Sequence, residues 1–135
     1  MAQLQWNDNL SVGIEQIDDQ HRQWIEYYNN AAQAVAAHQD QTLVAKTLGF
    51  LIDYTEVHFS TEEKQMVECD YPERSTHKVK HDELRNTLAN LTRDYEEEGV
   101  HRELASAIDT FLGNWLIQHI QDVDKKFGAF VKSQS

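Results

Sequence analysis

The strongest constraint on this chain is a set of histidines and acids written into apolar helical stripes. His58-Phe59-Ser60-Thr61-Glu62 and His77-Lys78-Val79-Lys80-His81 share one spacing, first residue to fifth. Residues four apart lie on one face of an α-helix, one turn apart. Each pair can therefore aim at one point. The only proline, Pro72, falls between them, where a turn would fold the second helix back along the first. Two facing helices would then offer three imidazoles and one carboxylate to a common centre. Donors of that kind suit iron, zinc, copper or nickel.

The rest of the chain reads as helix. Glycine (5) and proline (1) are too scarce to break many helices, and no segment shows the sustained alternation of a strand. Residues 1–16, with Asn7-Asp8-Asn9 and Ser11-Val12-Gly13 as turn material, predict an extended N-terminal arm. Asp18 is the expected N-cap of a first helix of about 20 residues, whose inner stripe is Ile17, His21, Trp24, Tyr28, Ala31 and Val35. His38-Gln39-Asp40 would form a turn. A second helix over about 41–68 carries Val44, Leu48, Leu51, Thr55, His58, Glu62 and Met66 inward. A third, with Pro72 in its first turn, carries His77, His81, Leu84, Leu88, Leu91 and Tyr95. It should fray at Glu96-Glu97-Glu98, because acids oppose the dipole there, and stop at Gly99. A fourth, from about 101 towards 130, turns Leu104, Ile108, Phe111, Trp115 and His119 inward. The fold class is all-α: an antiparallel up-down-up-down four-helix bundle over about 17–130 in one domain, 1–135.

On that bundle His21 and His77/His81 lie early in odd helices, and His58/Glu62 and His119 late in even ones. Antiparallel packing brings those positions to one level. A lone histidine on an apolar stripe is most often a hydrogen-bonded core residue. Five imidazoles and Glu62 at one level would be costly to bury without a cation. A last carboxylate is open between two positions. On a regular helix Asp122 is about 60° from His119 and Asp124 about 140° away, so periodicity favours Asp122 and Asp124 needs a local bulge. His38 and His101 read as solvated helix ends, and Cys69 as a packing residue or an exposed thiol.

Composition narrows the partners. With 12 basic and 23 acidic residues the formal charge is −11, which repels phosphate backbones and anionic lipid. No nucleic-acid partner and no membrane insertion are expected, for no apolar run approaches a bilayer span. The single cysteine rules out an internal disulfide and a Cys-rich zinc site. Met1 to Trp6 show no signal peptide, so the cytoplasm is the expected compartment.

The ordered pieces Trp6…Ser11-Val12-Gly13-Ile14…Ile17-Asp18…Gln20-His21, His58-Phe59-x-x-Glu62, His77-x-x-x-His81 and Trp115-Leu116-x-x-His119-Ile120-x-x-x-Asp124 together resemble the hemerythrin family in its single-domain bacterial form. The match covers nearly the whole chain. The resemblance implies a non-haem di-iron centre: His77, His81 and His119 on one iron, His21 and His58 on the other. Glu62 and Asp124 would bridge both, with an oxo or hydroxo group. It thus selects Asp124 over Asp122. Trp24 stands where an aliphatic residue is expected, near the pocket. Two imidazoles leave one iron an open position, where dioxygen would bind. The implied function is reversible dioxygen binding for storage, delivery or sensing, by a monomer that is not an enzyme. A separate oxygen-consuming or signalling protein would be its partner. The rival readings are a di-iron oxidase, peroxidase or nitric-oxide reductase, an oxygen- or redox-responsive regulatory module, and a zinc or metal-free structural bundle. The Glu-x-x-His repeats of ferritin-like oxidases are missing.

Overall fold

Amphipathic stripes in one chain can hide their apolar faces by packing on one another, and here four helices do so. The computed structural model describes residues 4–37, 41–99 and 102–134; the expected turn at His38-Gln39-Asp40 and the solvated ends at His38 and His101 lie outside them. Helix α1 is Glu15–Ala36, α2 is Gln41–Glu68 and α3 is Arg74–Glu98. Helix α4 runs over 102–133 as Arg102–Ser106, Ala107–Leu112, Gly113–Gln118, His119–Asp124 and Lys125–Ser133. Among the described residues there is no strand. None of the helices is long and apolar enough to cross a membrane.

The expected stripes of α1 and α2 are buried from end to end, and that of α3 from His77 to Leu91. Each fully buried Leu, Ile or Phe side chain contributes about 1.5 to 3 kcal/mol. Between α2 and α3 the chain turns by a Schellman closure. Tyr71 N–H donates to Met66 O at 2.9 Å, Asp70 N–H to Val67 O at 3.2 Å, and Asp70 takes φ 54°. Tyr71 and Met66 then pack with Phe127. Pro72 belongs to this turn and precedes α3, whose first residue is Arg74; the expected first-turn position is corrected by two residues. At the far end α3 stays helical through Glu98, where Gly99 (φ 71°) donates to Tyr95 O at 2.8 Å.

Asp18 is a second correction. Helix α1 begins a turn earlier, at Glu15, and the buried Asp18 carboxylate ties down the arm instead. It accepts from Ser11 Oγ at 2.5 Å and from Val12 N–H at 2.8 Å. Val12 O rests against Gly128, where a Cβ would lie 2.1 Å from it. The arm is irregular apart from a single turn, Asp8–Leu10.

The third correction concerns α4, which contains two π-helical segments, Ala107–Leu112 and His119–Asp124. In each, hydrogen bonds reach back five residues: Gly113 N–H to Ile108 O, and Lys125 N–H to Ile120 O. Tyr28 Oη also donates to Ile108 O at 2.8 Å, and a Cβ on Gly113 would lie 2.7 Å from that hydroxyl. The shifted register buries Leu112 and leaves Phe111 48 % exposed. The expectation that Phe111 faces inward assumed 3.6 residues per turn throughout.

Candidate metal centre

Bundle packing brings seven buried side chains to one level: His21 from α1, His58 and Glu62 from α2, His77 and His81 from α3, His119 and Asp124 from α4. They form two groups. Glu62, His77, His81, His119 and Asp124 each offer a donor atom within 4.8 Å of the others, and so do His21, His58, Glu62 and Asp124. The two carboxylates belong to both groups.

Asp124 divides its oxygens between them. Oδ1 lies 3.1 Å from both His77 Nε2 and His119 Nε2, whereas Oδ2 lies 2.7 Å from His21 Nε2 and 3.8 Å from His58 Nε2. Glu62 Oε1 stands 3.2 Å from His81 Nε2, 3.4 Å from His58 Nε2 and 3.6 Å from His77 Nε2. The second π segment puts Asp124 there. Its wider turn carries the fifth residue after His119 back beneath it. Asp122 is exposed, lining a hollow of about 290 Å³ on the α3–α4 surface with Lys80, Glu83 and Trp115.

The donor set fits a metal. Glu62 Oε1 and Oε2, His77 Nε2, His81 Nε2, His119 Nε2 and Asp124 Oδ1 are buried and make no hydrogen bond among the described residues. Each such orphan costs about 1 to 3 kcal/mol. The protein's own charges offset part of that. Burial pushes the Asp124 carboxyl up, but His119, His21 and His58 beside it hold it well below the usual carboxylate range. Burial and Asp124 push Glu62 up, and His58, His77 and His81 outweigh them and lower it. Burial pulls His77 down, yet the carboxylates of Asp124 and Glu62 close beside it raise it to about 9. His21 is raised in the same way by Asp124 against burial. For His58 burial wins, and its imidazole is lowered.

Around this set the side chains differ by side. Over His21 and His58 lies Trp24, its ring 4.9 Å from His58 and 6.2 Å from His21. Its Nε1–H donates to Thr55 Oγ1 at 2.8 Å. His58 Nδ1 donates to Gln20 Oε1 at 2.8 Å, and Gln20 Nε2 donates to Thr61 Oγ1 at 3.3 Å. On the other side Phe59 stacks on His81 at 3.8 Å and Trp115 on His119 at 4.6 Å. His81 Nδ1 meets Glu63 Oε2 at 2.7 Å. A carboxylate can only accept, so this nitrogen carries the proton and Nε2 is free to ligate. Cys69 is half-buried at the end of α2, outside the cluster.

Gln20 and Glu63 acquire partners that the stripes did not announce. Both are sequence neighbours of a cluster residue, His21 and Glu62. Adjacency of a hydrogen-bonding side chain to a candidate ligand is the signal that could have found them.

Comparison with known proteins agrees with the fold. The Hemerythrin HHE cation binding domain family matches residues 12–131. The bacteriohemerythrin of Stenotrophomonas maltophilia is 32 % identical over 98 % of this chain and 84 % of its own length. That of Methylococcus capsulatus is 30 % identical over 95 % of this chain and 96 % of its own. The myohemerythrin of Sipunculus nudus is 29 % identical over 90 % and 88 %. A crystal structure of wild-type hemerythrin superposes with a TM-score of 0.84 at 28 % identity, covering 95 % of this chain and 97 % of that one.

Proposed function

This chain belongs to the hemerythrin family, and on that premise we propose that it binds dioxygen reversibly at a pair of non-haem irons. The observation that carries the proposal is the sharing of Glu62 and Asp124 by two donor groups, the inward atoms of the three-histidine group lacking hydrogen bonds among the described residues. His77, His81 and His119 would hold one iron, His21 and His58 the other, and the two carboxylates would span both. The pair would supply the electrons that make dioxygen capture reversible.

The chain's own residues do the rest. Asp124 and Glu62 stay ionised in a buried place because the histidines hold their carboxyls down. Gln20 and Glu63 fix the proton on the outer nitrogens of His58 and His81, turning Nε2 inward. Trp24, Phe59 and Leu116, all buried, keep water from the cluster. Such a dry shell slows loss of electrons to solvent. Two ligands on one side against three on the other leave room for dioxygen beside His21 and His58. Five neutral imidazoles with two carboxylates favour binding over oxidative turnover. The same reading has one domain over 1–135, acting in the cytoplasm as a monomer without catalysis. Its partner would be an oxygen-consuming or signalling protein.

The test is iron content per chain, with visible spectra taken anaerobically, in air and after degassing. Two irons and a colour that comes with air and leaves with degassing are expected. Iron that oxidises once and stays oxidised would point to a redox enzyme or sensor. Zinc, or no metal, would end the di-iron assignment.

A further inference from the structure

The five clustered histidines differ at their outer nitrogens. Among the described residues the Nδ1 atoms of His21, His77 and His119 make no hydrogen bond, His58 faces the neutral amide of Gln20, and His81 faces a carboxylate, Glu63. That carboxylate is gripped. Arg85 Nη1 donates to Glu63 Oε2 at 2.9 Å and Nη2 to Oε1 at 3.3 Å, a two-pronged geometry that fixes both groups in one plane. The other donations of Arg85 go to Glu56, from Nε at 2.8 Å and Nη2 at 3.1 Å, and to Asp82, from Nη1 at 2.9 Å. All five N–H groups of the guanidinium are thus engaged.

Arg85 also stands over the Phe59 ring, 5.2 Å from its centroid, and that ring lies flat on His81, 3.8 Å away with 7° between planes. One guanidinium thereby supports both contacts that orient His81: the carboxylate at its edge and the phenyl ring on its face. An exposed ion pair is ordinarily worth 0 to 1 kcal/mol. Here the ion pair is only 24 % and 21 % exposed, and it ends on a ring with no exposure at all.

Resting on the reading of this cluster as a metal centre, we propose that Glu63, clamped by Arg85, is the positioning residue of the three-histidine side. It sets the His81 tautomer and makes that metal the more electron-rich of the two. Three carboxylates around a single guanidinium leave net negative charge at the His81 edge. A negative partner on Nδ1 raises the basicity of Nε2 towards a metal. The oxidised metal is then favoured on the α3–α4 side, whereas His58 with its amide partner lacks that push.

Two readouts test this. In metal-free protein, nitrogen NMR should find His81 as the Nδ1–H tautomer, and Glu63→Ala should turn it into a mixture. In metal-loaded protein, Glu63→Gln keeps an acceptor oxygen and loses the charge. It should retain the metal stoichiometry and shift the midpoint potential of the pair upward. Glu63→Ala should weaken metal retention at one site about 10- to 100-fold. Glu56→Gln removes another partner of Arg85 that makes no contact with His81; it should leave the tautomer unchanged and shift the potential less than Glu63→Gln does. An unaltered tautomer in Glu63→Ala, or equal potential shifts in Glu63→Gln and Glu56→Gln, would overturn the assignment. Wild-type protein that takes up no metal would sink the metal-centre reading, and the tautomer measurement would still decide the Glu63 assignment.

Discussion

The two sides of the cluster share their carboxylates and differ in nearly everything else. On the α1–α2 side two histidines without any exposure lie under Trp24, and the only outer-nitrogen partner is an amide. On the α3–α4 side three histidines are stacked on by Phe59 and Trp115 and backed by a clamped carboxylate. On the proposed reading, the fuller side would hold a metal rigidly and the emptier side would keep a coordination position dry. Symmetric ligands would give two equivalent metals, and the asymmetry would give them different work.

The largest effect should come from erasing what the sides share. Asp124→Ala removes the one side chain that turns an oxygen to each group, and metal analysis should find both ions lost. Glu62→Ala should do the same. An outcome in which one ion persists would show that the sides load independently.

Chelation comes next. Removing each metal, where its free concentration stood about a thousandfold above its dissociation constant, costs roughly 4 kcal/mol, lowering the melting temperature by on the order of 10 °C. The metal-free protein should also acquire a distinctive pH dependence. His77, raised from 6.5 to about 9, contributes stability that is fully present below pH 6.5 and lost as pH rises through 9. His58, lowered by burial, works in the opposite sense at acid pH. Denaturant titrations should show the metal-free protein weaker at pH 9.5 than at pH 6.5 by on the order of 2 kcal/mol. The metal-loaded protein should lack this slope, because the metal then occupies the proton's place.

Trp24→Leu probes the emptier side alone. It should cost about 1 to 3 kcal/mol through lost packing and the loss of a donor to Thr55. Exchange of a small anion such as azide into the loaded site should become several-fold faster. Unchanged exchange would mean that ligands do not pass Trp24. The smallest effect is expected from Gln20→Glu, which gives His58 the anionic partner that His81 has. A downward shift in midpoint potential would narrow the difference between the sides; no shift would show that partner charge matters little there.

Much of this site is legible because α2 and α3 keep regular periodicity. The pairs His58/Glu62 and His77/His81 follow from one spacing rule, and the level of His21 and His119 follows from antiparallel order. Asp124 does not follow, for periodicity points to Asp122 and fails where α4 widens. Phe111 and Leu112 exchange places for the same reason. No residue type announces a π segment, although at the first of them Tyr28 reaches Ile108 O past Gly113. Asp18 illustrates another ambiguity, because a short acid before an apolar run suits a helix cap and suits an anchor for a preceding arm equally well. Glu63 and Arg85 were hidden because each looks like one more charge on a solvated face.

The widened turn between His119 and Asp124 also has a genetic meaning. A π segment holds one residue more than the α-turn it replaces. Loss of a single codon between these two positions would therefore leave an imidazole and a carboxylate four apart, the spacing that His58 and Glu62 already use. Two alleles with different reading distances would then encode the same pair of donors.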